Sequence, residues 1–246
     1  MLAFVVPVKP RAVTADWNRL TALLDRTLRS ICAQDCAGFV VLVACHDVPP
    51  VTFVHPAIRF LVVDEPAAGS VTGERDKAMK IKHAQRHAAD QQCTHIMVVD
   101  ADDCVSPRLA ATVAAAPDAP GWQLTSGYVW KEGSKIAFRN TRNFHHTCGS
   151  TAIARVDLFD HMFVEGPHYT FEEPRLPAGI ALAPLGFPGA IYSILNGENI
   201  FLDRQRIQSH KRSEGGPRYF VRKAKRYRPV LVTPRMRRHF GLYDLP

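Results

Sequence analysis

Four short apolar runs in the first hundred residues narrow most sharply what this chain can become. They are Ala3 to Val8 (AFVVPV), Phe39 to Cys45 (FVVLVAC), Ile58 to Val63 (IRFLVV) and His95 to Val99 (HIMVV), and helix-length or loop-length segments separate them. Runs with so little polar interruption belong to strands covered on both faces, and strands alternating with helices build a parallel sheet. Between the first two runs, Asp16 to Gln34 sets Leu20, Leu23, Leu24, Leu28 and Ile31 along one helical face, with Asp16 as the N-cap. Glu74 to Ala89 reads as a second, strongly basic helix. The expected fold is α/β: a single domain with a mostly parallel twisted sheet flanked by helices.

After about residue 105 this alternation stops. Gln123 to Lys131 and Ser134 to Arg139 suit a pair of strands, and Thr151 to Phe159 suits a strand leading into a helix. No side chain between Arg175 and Glu198 is charged, yet Pro177, Pro184 and Pro188 with Gly179, Gly186 and Gly189 interrupt any membrane helix. A buried or pocket-lining loop is expected there. From Arg204 onward thirteen Lys and Arg face two acids, Glu214 and Asp244, so the chain is expected to end in a basic C-terminal extension.

A net charge of +8 over 246 residues points to an anionic partner: a nucleotide, a lipid headgroup or nucleic acid. Six cysteines without a CxxC pair suit buried free thiols of a reducing compartment better than disulfides or zinc. The apolar start, MLAFVVPVKP, lacks a basic flank and a small-residue cleavage site and is expected to be the first strand.

The residues that carry chemistry follow the fourth run, in Val98-Val99-Asp100-Ala101-Asp102-Asp103. Ligands of open α/β sheets bind at the carboxyl ends of the strands. Two carboxylates spaced i, i+2 there can share one divalent cation, and hard oxygen ligands suit Mn2+ or Mg2+ with substrate phosphates completing the shell. Such a tripeptide alone also fits a solvated turn.

With its position after three earlier strands, the motif resembles that of the GT-A glycosyltransferases, especially the family 2-like bacterial enzymes. Phe4 to Val8, Leu28 to Gln34 and Val41 to Asp47 belong to the same resemblance, which covers roughly residues 3 to 160, with weaker echoes to about 215. It implies a nucleotide-diphospho-sugar transferase fold, with residues 1–105 as the nucleotide-sugar-binding half, 106–203 as the acceptor-side half and 204–246 as the extension. It implies Pro7 and Asp47 at the nucleotide, Lys77 near a helix start facing phosphate, and Gly149 where backbone approaches the donor. It further implies Asp100 and Asp102 as metal ligands with His210 as a third, and Glu173 or Glu172 as the base of an inverting transfer. Glu-Glu departs from the commoner Glu-Asp pair, and residues 73–84 are richer in lysine than the family pattern.

The implied reaction moves a sugar from a nucleoside diphosphate sugar to the hydroxyl of a glycan or lipid-linked acceptor. The implied location is cytoplasmic, with the basic tail either resting on the inner face of an anionic membrane or packed on the catalytic domain. Two other classes are weighed against this. A sugar nucleotidyltransferase needs a glycine-rich loop after its first strand, and Pro7 to Arg11 contains no glycine. A nucleic-acid module would use the basic tail with Tyr219, Phe220 and Tyr227, but the acidic motif argues against that as the main function.

Overall fold

The computed structural model describes residues 1–64, 73–164, 168–169, 174–197 and 227–245. Strands β1 (Leu2–Pro7), β2 (Phe39–Cys45), β3 (Ile58–Val62) and β4 (His95–Val98) are parallel neighbours, with Leu2 opposite both Phe39 and His95. Alternate residues of β1 and β2 supply two separate cores. On one face Phe4, Val6, Val41 and Val43 meet Leu20, Leu24, Leu28 and Ile31 of α1 (Trp17–Cys32). On the other, Ala3, Val5, Leu42 and Ala44 meet Ile81, Ala84 and Ala88 of α2 (Gly73–Asp90). The apolar runs thus describe strands covered twice, as expected, and the Asp16 side chain caps α1 by accepting the Arg19 N–H at 2.9 Å. At the sheet edge β3 differs, because Arg59 and Val62 are exposed.

The second half of the chain returns to this sheet before building another. The short strand β5 (Cys104–Val105) and helix α3 (Leu109–Ala115) are followed by β6 (Gly121–Gln123), β7 (Gly127–Lys131) and β8 (Ile136–Asn140). Next come β9 (Ala152–Arg155), a 3-10 helix over Val156–Met162, the ribbon of β10 (Phe163–Val164) and β11 (His168–Tyr169), then β12 (Ala183–Pro184) and β13 (Ala190–Ile194). The last strand and helix are β14 (Tyr227–Leu231) and α4 (Pro234–Phe240). The first sheet has the order β12-β6-β9-β4-β1-β2-β3, with β9 antiparallel to β4 and β6, and the second has the order β14-β8-β7-β13-β5.

Two expectations change, and a third, open between two alternatives, is narrowed. The single strand expected over Gln123 to Lys131 is two strands in different sheets, because the chain crosses between layers at Leu124–Ser126. The uncharged segment after Arg175 is not a loop throughout: Ala190, Ile191 and Tyr192 are buried in β13, where a strand between two neighbours has no room for charge. The last part of the basic extension belongs to the fold, since β14 pairs with β8 and Phe240 and Leu242 pack on Trp130, Ala137 and Ile191. Its signal was masked by arginine, whereas burial is carried by residues spaced between the charges.

Polar ties join the layers. The fully buried Arg26 of α1 reaches Glu132, just after β7, through two hydrogen bonds of 2.9 Å, and lies 5.3 Å from the Trp130 ring. All six cysteines are free thiols.

Candidate functional site

The polypeptide leaves β4 through buried Val99 and turns at once, with the Asp103 N–H donating to the Asp100 carbonyl at 3.0 Å. That turn sends three carboxylates to different partners. Asp103 is fully buried and accepts the Ser150 hydroxyl at 2.7 Å and the Ser193 N–H at 3.2 Å. Ser150 in turn accepts the Asp100 N–H at 2.9 Å, so β4, β13 and the segment before β9 are fastened at one point. Asp102 accepts Asn196 Nδ2–H at 2.7 Å; Asn196 follows Leu195, held at φ 58°. Asp100 forms an ion pair with Lys77, one turn into α2.

Gly149 closes the corner. A Cβ there would lie 2.9 Å from Asp100 Oδ2 and 3.2 Å from Lys77 Nζ, so any side chain would press on the ion pair. The structure therefore brings Lys77, Asp100 and Gly149 into contact, with Asp102 two residues along. Pro7 and Asp47 stand at the carboxyl ends of β1 and β2, on the same sheet edge; Pro7 is buried, and exposed Asp47 accepts the Arg11 N–H at 3.3 Å. Glu172, Glu173 and His210 lie outside the described residues.

The corner is short of positive charge. Burial, then the neighbouring Asp100 charge, pushes the Asp102 carboxyl up to about 6. Burial followed by Asp102 and Asp100 drives Asp103 well above the usual carboxylate range. Burial alone would lower Lys77, but the Asp100 charge and hydrogen bond outweigh it and hold the ammonium above its ordinary value. Burial and the same carboxylates also push the Cys148 thiol far up, so it is a poor nucleophile here.

A divalent Mn2+ or Mg2+ fits this donor set in a specific way. Among the described residues no three His, Cys, Asp or Glu side chains converge on one point, so the chain offers no complete protein cage. Mg2+-type sites use one or two carboxylates with substrate phosphates and water, and Asp100 and Asp102 match that requirement in type and charge. Asp103 is turned away to Ser150 and Ser193.

Beside this corner lies a polar network that the sequence did not announce. Lys80, one turn beyond Lys77, is almost completely buried and donates to the Val8 carbonyl at 2.7 Å and to Asp76 at 2.6 Å. Asp76 also meets His46 Nε2 at 2.7 Å, and His46 Nδ1 meets the Val63 carbonyl at 2.8 Å. The chain segments leaving β1, β2 and β3 are thereby tied to α2. Lys82 lies 4.7 Å from the Phe163 ring, so the three lysines of α2 serve three different surroundings. Ser193 and Asn196 were also unmarked, and so was the pairing of Ser150 with Asp103, since serines and an asparagine at unrelated positions carry no spacing signal.

No protein-family model and no curated protein matches the chain. Among solved structures, TarS 1-349 of S. aureus is similar at 14% identity and a TM-score of 0.47, over 78% of this chain and 60% of that one. The 2-C-methyl-D-erythritol 4-phosphate cytidylyltransferase (IspD) of Francisella tularensis is similar at 12% identity and a TM-score of 0.43, over 85% and 99%. The bifunctional IspDF from Campylobacter jejuni is similar at 12% identity and a TM-score of 0.41, over 83% and 53%. This chain thus spans about 60% of the length of the TarS fragment. Likeness of this degree decides nothing about activity.

Proposed function

We propose that the chain is a metal-dependent glycosyltransferase that binds a nucleoside diphosphate sugar at the Asp100 corner and moves the sugar to an acceptor hydroxyl. The observation that supports this most is the contact of Lys77, Asp100 and Gly149 at the carboxyl end of β4, with Asp102 alongside. An ammonium held against a carboxylate at half-buried depth, beside backbone where a Cβ would crowd the pair, suits a diphosphate lying over that backbone. Asp100 and Asp102 would hold Mn2+ or Mg2+, which when bound neutralises charge on the departing diphosphate.

This chain's own residues bind and orient. Lys77 offers a positive charge to phosphate oxygens, and Asp103 with Ser150 and Ser193 fixes the turn that aims Asp100 and Asp102. In the transfer the acceptor oxygen bonds to the anomeric carbon, the carbon–oxygen bond to the diphosphate breaks, and the hydroxyl proton passes to a carboxylate. Glu173 or Glu172 is proposed for that last role, in an inverting displacement. His210 is proposed as a further metal ligand, and Pro7 and Asp47 as neighbours of the nucleotide.

The test is calorimetry of UDP, GDP, dTDP and CMP with and without Mn2+. A nucleotide that binds the wild type in Mn2+ and loses affinity by at least about tenfold in both Asp100→Asn and Asp102→Asn supports the site. Unchanged affinity in both variants sinks it. Release of pyrophosphate from a nucleoside triphosphate and a sugar phosphate would favour a nucleotidyltransferase instead.

A further inference from the structure

In the second sheet β14 runs antiparallel to β8, and Arg228 stands directly opposite Arg139. Opposed residues of such a pair share a face of the sheet, where like charges repel and destabilise the pairing. Tyr128 is the next residue in register beyond Arg139, and it meets Phe240 of α4 edge-on at 5.7 Å. Arginine does not relieve the repulsion by giving up its proton, because its guanidinium stays charged. Other arginines of this chain are matched with carboxylates: Arg26 with Glu132, Arg29 with Asp25, Arg155 with Asp157 and Arg237 with Asp244. Among the described residues no carboxylate pairs with Arg139 or Arg228, and the Arg139 Nε–H is buried without an acceptor. A buried donor in that condition is costly unless something accepts from it.

We infer that Arg139 and Arg228 form a binding site for a phosphate-type oxyanion, separate from the Asp100 corner. The planar fork of a guanidinium matches two oxygens of a tetrahedral anion, and an anion between two such forks converts the repulsion into two charge-assisted contacts. Tyr128 adds a phenol on the same face. The anion has two chemical sources: phosphate free in solution or carried on a soluble ligand, and the headgroup of an anionic lipid. The apolar side chains exposed on these two strands, Ile136, Phe138, Pro229 and Leu231, lie on the opposite face, away from the arginines.

The experiment is thermal unfolding with increasing inorganic phosphate, on the wild type, Arg228→Gln and Arg228→Glu. The wild-type Tm rises with the logarithm of phosphate concentration once that exceeds the dissociation constant, by about 3 °C at ten times that constant. Arg228→Gln loses most of that response. Arg228→Glu places a carboxylate opposite Arg139, raises the Tm without phosphate, and abolishes the response. Its nucleotide affinity in Mn2+ stays at the wild-type value, which separates this site from the proposed donor site. Sedimentation with phosphatidylglycerol vesicles, against phosphatidylcholine controls, distinguishes the sources. Wild-type binding to phosphatidylglycerol that Arg228→Glu loses identifies a headgroup, and a phosphate response without vesicle binding identifies a soluble ligand. The inference is overturned if the wild type responds to neither phosphate nor vesicles, or if Arg228→Glu responds as the wild type does.

Discussion

Two lysines three residues apart on α2 sit in opposite situations. Lys80 is sealed among Val8, Asp76 and, through Asp76, His46, with its charge compensated and two of its N–H donors engaged. Burial still lowers its proton affinity below the ordinary lysine value against the pull of Asp76. Lys77 is half-buried beside three crowded carboxylates that it does not balance. A closed network of the first kind holds chain segments in place. A half-open corner with surplus negative charge suits the proposed cation and the diphosphate it would carry, so helix position alone does not distinguish a lysine that ties the fold from one proposed to meet a ligand.

Removal of Lys80 has the largest expected effect. Lys80→Met leaves Asp76 buried without its main counter-charge, and breaking a buried pair costs about 3–5 kcal/mol. Thermal unfolding should show a Tm lower by roughly 10 °C. A Tm within about 2 °C of wild type would show that the network is not structural.

Lys77→Met should do the reverse. Its ion pair is partly solvated, so the Tm moves by less than roughly 3 °C. Nucleotide affinity measured by calorimetry falls about tenfold or more, since a charge-assisted phosphate contact is lost. Equal stability losses in the two lysine variants would dissolve the distinction.

Gly149→Ala sharpens the same corner with a smaller change. The added methyl would sit 2.9 Å from Asp100 Oδ2, and it forces the Lys77–Asp100 pair to shift. Nucleotide affinity should fall severalfold, with a Tm loss of about 2–4 °C. Affinity equal to wild type would mean that the diphosphate does not pass over this backbone.

The smallest effect concerns His95, far from both lysines at the amino end of β4. It is fully buried, its Nε2 meets the Ala119 carbonyl at 2.8 Å, and burial first of all holds its pKa below the ordinary histidine value. A depressed histidine takes up its proton more readily in the unfolded chain, so its contribution is present above about pH 6.5 and is lost as pH falls below it. Denaturant midpoints from pH 7.5 to pH 5 should therefore decline less in His95→Gln than in the wild type. Parallel curves would assign the acid sensitivity to other groups.

Much of the first hundred residues was legible because their signals are local. The period of Leu20 to Ile31 and the unbroken run from Phe39 to Cys45 each report their own burial. The place of the acidic turn was legible, since Asp100 directly follows the buried run that becomes β4; its role toward a ligand is proposed. Lys77 could be favoured for its place near the start of α2, but nothing in the sequence showed that Lys80 would be swallowed by the core. Spacing constrains direction around a helix and says little about what stands opposite. The split of Gln123 to Lys131 between two sheets, the strand hidden after Gly189 and the return of Tyr227 to Leu231 beside β8 depend on pairings between distant segments. The sequence by itself determined the layered α/β half, its two apolar faces and the acidic turn at the end of β4. Only the tertiary structure decided that Ser150 and Ser193 would fix that turn, that Lys80 would close and Lys77 stay open, and that two arginines would face each other across β8 and β14. Those outcomes are set by which chain segments meet, and a partner's charge and burial act only after they have met.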